Sequence, residues 1–241
     1  MQNRRISAVA IDMAGYESKA FKISDVKDLV PFIERHGAAL AEAIAPGEAA
    51  EDLSLAVLRR SDRALTLRAE ALGRVRLVKC FNDENTAAGF SYLAERDALR
   101  ALTLSGLTPA LVAFSNEHRF IAADFIVGDT LREVITPEVL ETVARGIGQW
   151  LGHYCRRAPI RQASASWFSY FNQIPTLRDT PVVRAAKREL CAMTSKGMVL
   201  SKNDGSLSNF ILSENGKIYG VDFEKAKFKP VGWDLMLTAR A

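Results

Sequence analysis

Hydrophobic and polar positions along this chain predict a small antiparallel sheet with helices, followed by a mainly helical half. Ile6 to Ile11 reads as a short strand. Val26, Leu29, Val30, Ile33, Leu40 and Ile44 fall near helical spacing, with Ser24 as a candidate N-cap. Pro31 moves the expected helix start towards Val30, because proline is accepted in a first turn, and Pro46-Gly47 ends the pattern. Residues 53–58 and 64–69 are two apolar runs around the polar turn Arg59-Arg60-Ser61-Asp62-Arg63. Gly73 breaks the chain before Arg74-Val75-Arg76-Leu77-Val78-Lys79-Cys80-Phe81, where Val75, Leu77 and Lys79 share one face by strand alternation. A helix is expected over 86–103, with Phe90, Leu93, Ala94, Ala98, Leu99 and Leu102 as its apolar stripe. Gly106 and Pro109 close it, and two more strands follow around 110–114 and 120–125.

Composition narrows the class. The 241 residues are 48% hydrophobic and 25% charged, enough to bury a sizeable core in one domain or two small units. No apolar run reaches about 18 residues, so no membrane-spanning helix and no membrane insertion is expected. Asp12 and Glu17 interrupt the N-terminal segment, so no secretory signal is expected. Cys80, Cys155 and Cys191 are odd in number and widely spaced. They make neither a zinc pattern nor a disulfide framework, which points to a reducing cytoplasm. The net charge of +4 suits an anionic ligand or a solvated surface and gives no ground for nucleic-acid binding.

The densest chemistry lies in Lys202-Asn203-Asp204-Gly205-Ser206-Leu207-Ser208-Asn209 and in Val221-Asp222-Phe223-Glu224. Phe210-Ile211-Leu212 reads as a strand, Glu214-Asn215-Gly216-Lys217 as a hairpin turn, and Ile218-Tyr219-Gly220-Val221 as the returning strand. That hairpin brings Asp222 back beside Asn209. Two hard oxygen donors then converge, which suits Mg²⁺, and Asp204 sits alongside to orient a hydroxyl. No G-x-x-x-x-G-K-[S/T] and no G-x-S-x-G occurs, and His36, His118 and His153 lack zinc-enzyme spacing.

D-x-x-x-x-N followed by hydrophobic-D-F-E resembles the catalytic and metal-binding segments of the protein-kinase-like superfamily, and looks closest to the aminoglycoside phosphotransferase-like small-molecule kinases. The resemblance implies an α+β, two-lobed fold with an antiparallel-sheet N-lobe and a mainly helical C-lobe. Residues 51–126 would form the N-lobe and 127–241 the C-lobe, with 1–50 an extension of uncertain role. It implies ATP, or GTP, and Mg²⁺, with Asp204 as the catalytic base and Asn209 and Asp222 as metal ligands. Lys79 resembles the strand lysine that binds nucleotide phosphates, and Glu95, sixteen residues on, its helix partner. Asp97 is the rival to Glu95 but points about 200° away around a helix. Ser61 sits where the phosphate loop belongs, and Asp124, Phe125 and Ile126 where the hinge holds adenine. Trp233-Asp234-Leu235 resembles the family's W-D-L, whose aspartate bonds the catalytic loop. Gly148-Gln149-Trp150-Leu151-Gly152-His153 resembles the helix before that loop, with His153 expected to pack.

Two departures stand out. The family's H-G-D is Lys202-Asn203-Asp204 here. Lysine offers no acceptor, whereas asparagine tolerates the positive φ of the glycine it replaces, and Lys202 is free to be read as facing the transferred phosphate. Asp234 lies seven residues before residue 241, so the acceptor pocket is expected from residues 155–200, with the aromatic cluster Trp167-Phe168-Ser169-Tyr170-Phe171, or from the first 50. The expected function is transfer of the γ-phosphoryl of ATP to a hydroxyl of a small molecule or sugar. The alternatives are a pseudokinase or nucleotide-binding regulatory module, and a kinase acting on protein or glycan.

Overall fold

The computed structural model describes residues 29–46, 54–82, 85–162, 165–167, 170, 181–192, 194–195 and 197–239. The expected strand at 6–11 and the Ser24 cap lie outside them. The chain divides into two compact units, Met1–Val127 and Gly128–Ala241.

In the first unit, β1 (Ser54–Arg60), β2 (Ala64–Ala71) and β3 (Arg74–Phe81) form the meander, joined by β5 (Phe120–Asp124) and β4 (Leu111–Ser115). The sheet order is β1-β2-β3-β5-β4, and each pairing is antiparallel. Alternation along β3 sends Val78 and Cys80 into a core with Leu55, Leu67, Ala69, Phe120 and Ala122. Leu40, Ile44 and Ala45 of α1 (Leu29–Ile44) and its C-terminal turn complete that core. The N-terminal helix is thus part of the unit, a role the sequence left open. Burial pushes the Cys80 thiol far above its ordinary range.

The opposite face of β3 carries Lys79 and Phe81. It meets α2 (Thr86–Leu102), where Tyr92 packs edge-on against Phe81 with ring centroids 5.6 Å apart. Asn85 caps α2 by accepting a hydrogen bond from the Ala88 amide at 3.1 Å. The buried face of α2 is Ala88, Ser91, Tyr92, Glu95, Ala98, Leu99 and Leu102. This corrects the expected stripe, because Phe90 is 71% exposed and Leu93 is exposed as well. The true face keeps i, i+3, i+4, i+7 spacing but carries a serine and a glutamate, which hid it from an apolar count.

In the second unit, β6 (Gly128–Thr130) and α3 (Leu131–Val134) lead to α4 (Leu140–Arg157), the longest helix there. Val143, Ile147, Trp150, Leu151 and Tyr154 form its buried face. His153 is exposed, so the expected packing role falls instead to Trp150 and Tyr154, whose rings stack 4.8 Å apart. Three short strands follow: β7 (Ile160–Arg161), β8 (Ala165–Ser166) and, after α5 (Pro181–Ala192), β9 (Thr194–Ser195). Then come β10 (Met198–Ser201), β11 (Phe210–Ser213), β12 (Ile218–Gly220), β13 (Lys227–Pro230) and α6 (Trp233–Thr238). β10 lies between β13 and β7, and β11 between β12 and β6. These small sheets exceed what the sequence indicated, because strands of two to four residues carry too little periodicity to read. No described helix is long and apolar enough to cross a membrane.

Trp167 and Trp233 are buried together, with Tyr170, Met236 and Leu237 packed around them. The described members of the aromatic cluster are therefore core; Phe168, Ser169 and Phe171 lie outside the described residues.

Gly220 ends β12 directly under Trp150: a Cβ there meets the indole Cζ2 at 2.4 Å. Gly148, on the same helix as Trp150, has nothing within 4 Å of its notional Cβ. Gly220→Ala is expected to cost about 1–3 kcal/mol by overpacking. Gly148→Ala is expected to be neutral or to stabilise by up to about 1 kcal/mol. Urea unfolding followed by tryptophan fluorescence separates the two variants.

Candidate active site

Two constellations carry the polar residues singled out in the sequence. The first belongs to the first unit. Lys79 Nζ and Glu95 Oε2 form a 2.7 Å ion pair, largely sequestered from solvent. The strand puts Lys79 on the α2 side, and the helical register puts Glu95 on the buried face of α2. Asp97 instead pairs with Arg96 at 2.7 Å and is largely exposed, which settles the choice between the two acids.

Ser61 and the 124–126 segment have specific local roles in the same unit. The Ser61 hydroxyl accepts the Ala64 amide at 3.0 Å and the Arg63 amide at 3.3 Å, closing the β1–β2 turn on itself. The Asp124 carboxylate accepts from Arg76 Nη1 at 2.7 Å, and its amide donates to the Ala110 carbonyl at 2.9 Å. Phe125 lies under the Arg68 guanidinium, 5.9 Å from ring centroid to Cζ. Ile126 follows in the irregular stretch after β5 and is half-buried.

The second constellation is built where β10 runs into the 202–209 loop. Buried Asp234, at the start of α6, holds the entry to that loop. Its Oδ1 accepts the Ser201 hydroxyl at 2.8 Å and the Asn203 amide at 2.9 Å, and its Oδ2 accepts the Lys202 amide at 3.0 Å. Burial raises the pKa of Asp234 in spite of these bonds.

Lys202 is 1% exposed. Its ammonium donates to the carbonyl of Asp204 at 3.2 Å and to the carbonyl of Asp222 at 3.1 Å. The rings of Phe210 and Phe223 flank it at 5.7 and 5.5 Å. Lys202 therefore staples the Asp204 loop to the Asp222 loop from within. The alternative, an ammonium presented outwards to a phosphate, is corrected by this burial.

Asn203 has φ +58°, the left-handed conformation expected for the residue that replaces glycine. Its side chain accepts the Trp233 indole N–H at 2.8 Å and donates to the Lys225 carbonyl at 3.1 Å. Gly205 lets α6 approach the loop: a Cβ there lies 2.5 Å from the backbone of Leu237 and Thr238.

Asp204 Oδ1 accepts the Ser206 amide at 3.1 Å, and Oδ2 accepts Lys225 Nζ at 2.7 Å. Burial raises its pKa, but the Lys225 hydrogen bond, the Ser206 amide and the charges of Lys202 and Lys225 outweigh it, so the carboxyl titrates below its ordinary value. Asp204 is a carboxylate at neutral pH.

A single turn of 3₁₀ helix, Leu207–Asn209, leads into β11. Phe210 pairs with Gly220, Ile211 with Tyr219 and Leu212 with Ile218, and the turn at 214–217 falls where the sequence placed it. The Val221 amide donates to the Asn209 carbonyl at 3.0 Å, which sets Asp222 next to Asn209. Asp222 adopts φ +61°, a backbone state that few non-glycine residues take. The donor set of one amide oxygen and one carboxylate fits a hard divalent cation completed by phosphate oxygens. Among the described residues no cluster of three or more His, Cys, Asp or Glu forms a closed metal cage.

The structure thus brings Lys79 to Glu95, and separately gathers Asp204, Asn209 and Asp222. The sequence reading missed Lys225 as the partner of Asp204, although a lysine three residues past Asp222 was its visible signal. It also missed the second use of Asn203, since glycine at that position has no side chain to compare.

No protein-family model and no curated protein matches the chain by sequence. Solved structures do match its fold. A choline kinase from Streptococcus pneumoniae aligns over 88% of this chain and 73% of its own, at 17% identity and TM-score 0.56. An ethanolamine kinase from Plasmodium vivax aligns over 88% and 67%, at 15% identity and TM-score 0.60. A thermostable mutant of the aminoglycoside phosphotransferase APH(4)-Ia, in ternary complex with ADP and hygromycin B, aligns over 83% and 75%, at 13% identity and TM-score 0.53.

The chain has the protein-kinase-like fold of small-molecule kinases. Within that fold, the 202–209 loop and the 222–225 segment are held together by Lys202 and Asn203. Lys202→Met keeps the volume but leaves two partly buried carbonyls without their donor. It is expected to destabilise the protein by about 2–3 kcal/mol, read from the urea midpoint, and to raise amide exchange across 202–209. An unchanged midpoint with unchanged exchange contradicts the staple.

Proposed function

We propose that the protein is a kinase that moves the γ-phosphoryl group of ATP to a hydroxyl of a small molecule or sugar, with Mg²⁺. The observation that carries this reading is the Asp204–Asn209–Asp222 arrangement, in which the Val221–Asn209 backbone bond sets Asp222 beside Asn209 and Lys202 ties the Asp204 and Asp222 carbonyls together. Its likeness in fold to choline, ethanolamine and aminoglycoside kinases supports the same class.

Asp204 is the base. Its carboxylate is ionised, half-buried and aimed by the Ser206 amide, so it accepts a hydrogen bond from the acceptor hydroxyl and takes the proton late. Asn209 and Asp222 are the residues that hold Mg²⁺; when bound, the ion neutralises phosphate charge and keeps the nucleotide's terminal groups in place. Lys79, fixed by Glu95, offers a cation to nucleotide phosphates. The backbone around 124–126 is the candidate adenine contact, because the Asp124 side chain is engaged by Arg76. The Ser61 hydroxyl and the Ser61, Arg63 and Ala64 amides are already used within the turn, so the Asp62 amide is the turn's candidate phosphate contact. ATP is preferred here over GTP only as the commoner donor. A loose phosphoryl-transfer transition state asks mainly for positioning and charge, and these groups provide both. The free cysteines fit a reducing cytoplasm.

Asp204→Asn is expected to lower turnover by roughly 10²–10⁴-fold with Mg·ATP affinity retained. Asp222→Ala is expected to abolish turnover and to weaken Mg-dependent ATP binding. Calorimetry with ATP in the presence and absence of Mg²⁺, paired with ADP release, reads both. A purified Asp222→Ala variant with normal turnover refutes the assignment.

A further inference from the structure

We propose that Lys225 is a catalytic residue of this site, a cation that contacts the phosphoryl group while it is transferred to the hydroxyl held by Asp204. The inference rests on the reading of Asp204 as the base that orients the acceptor.

The argument begins with distance. An acceptor oxygen bonded to Asp204 lies about 3 Å from its carboxylate. The phosphorus it attacks lies about 3–3.5 Å further on in a reactive pose. Lys225 Nζ is 2.7 Å from Asp204 Oδ2, so its ammonium stands beside the carboxylate that holds the acceptor. Lys202, the other lysine near Asp204, is buried and committed to two backbone carbonyls, so it cannot reach a ligand. Lys225 is 53% exposed. One of its three donors goes to Asp204, which leaves the ammonium able to donate again.

The backbone of Lys225 is held in place, while its head is half-exposed. Phe223, two residues earlier, is fully buried. The Ala226 amide closes a turn on the Phe223 carbonyl at 2.9 Å, and the Asn203 side chain donates to the Lys225 carbonyl at 3.1 Å. A half-exposed ion pair adds only about 0–1 kcal/mol to stability, so folding alone gives little reason for this arrangement. The hydrogen bond to Asp204, with added support from the charges of Asp204, Glu224 and Asp222, raises the lysine pKa, and it stays charged at neutral pH.

In the step, the acceptor oxygen bonds to the γ-phosphorus and the bridging bond to the β-phosphate breaks, its electron pair leaving on ADP. The acceptor proton passes to Asp204. Lys225 donates to the oxygens of the group in transit, where charge is spread in the transition state.

The test uses the full chain, Mg·ATP as the probe and water as the acceptor, comparing wild type with Lys225→Met and Lys225→Arg. Lys225→Met is expected to lower kcat for ATP hydrolysis on the order of 10²-fold while Mg·ATP affinity by calorimetry stays within about threefold. Lys225→Arg is expected to recover about tenfold of the loss, since it restores the charge but not the ammonium geometry. Retained Mg·ATP affinity also shows that the variants are folded. If wild type hydrolyses Mg·ATP and Lys225→Met matches its kcat, this inference falls and the kinase reading stands. If wild type neither binds nor hydrolyses Mg·ATP, both fall.

Discussion

The buried carboxylate of Asp234 is the contact on which the proposed active site depends. It collects the Ser201 hydroxyl and the amides of Lys202 and Asn203, three donors from consecutive residues. A carboxylate with three hydrogen bonds is a rigid anchor even at a desolvation cost that raises its pKa. The chain leaving β10 therefore has one available path, and Asp204 emerges from it at a fixed place. Trp233, the residue before the anchor, extends the same clamp by donating to the Asn203 side chain.

Lys202 adds the second constraint. A buried ammonium is tolerated only when its donors are met, and here two carbonyls and two flanking aromatic rings meet it. Because one carbonyl belongs to Asp204 and the other to Asp222, the lysine couples the positions of the proposed base and the proposed metal ligand. Lys202-Asn203, which departs from the resembled motif in sequence, is in three dimensions a tether between the two loops. Asn203 matches glycine in backbone conformation, at φ +58°, and then adds two side-chain bonds that glycine lacks.

Much of this was legible beforehand, for physical reasons that differ by element. The meander and α2 have long, strongly patterned segments, and Lys79 and Glu95 were found because a charge on an apolar strand and an acid on a helix stand out. The return of Asp222 to Asn209 was legible because a hairpin turn converts sequence spacing into proximity. What escaped notice was tertiary. The buried face of α2 hides a serine and a glutamate among its apolar residues and leaves Phe90 outside. The direction of the Lys202 side chain depends on carbonyls up to twenty residues away. The Lys225–Asp204 pair joins two loops that no periodic pattern links. The short strands β6, β7 and β13 are defined by their partners rather than by their own residues.

The central claim is that this clamped loop supports phosphoryl transfer from Mg·ATP. It is tested most directly by a ³¹P NMR time course of Mg·ATP with the purified protein and pooled hydroxyl compounds: sugars, amino alcohols and aminoglycosides. The account predicts loss of the γ-phosphate resonance, growth of ADP and appearance of a phosphomonoester signal, all dependent on Mg²⁺. An unchanged ATP spectrum, together with no Mg-dependent ATP binding at millimolar concentration, would contradict it.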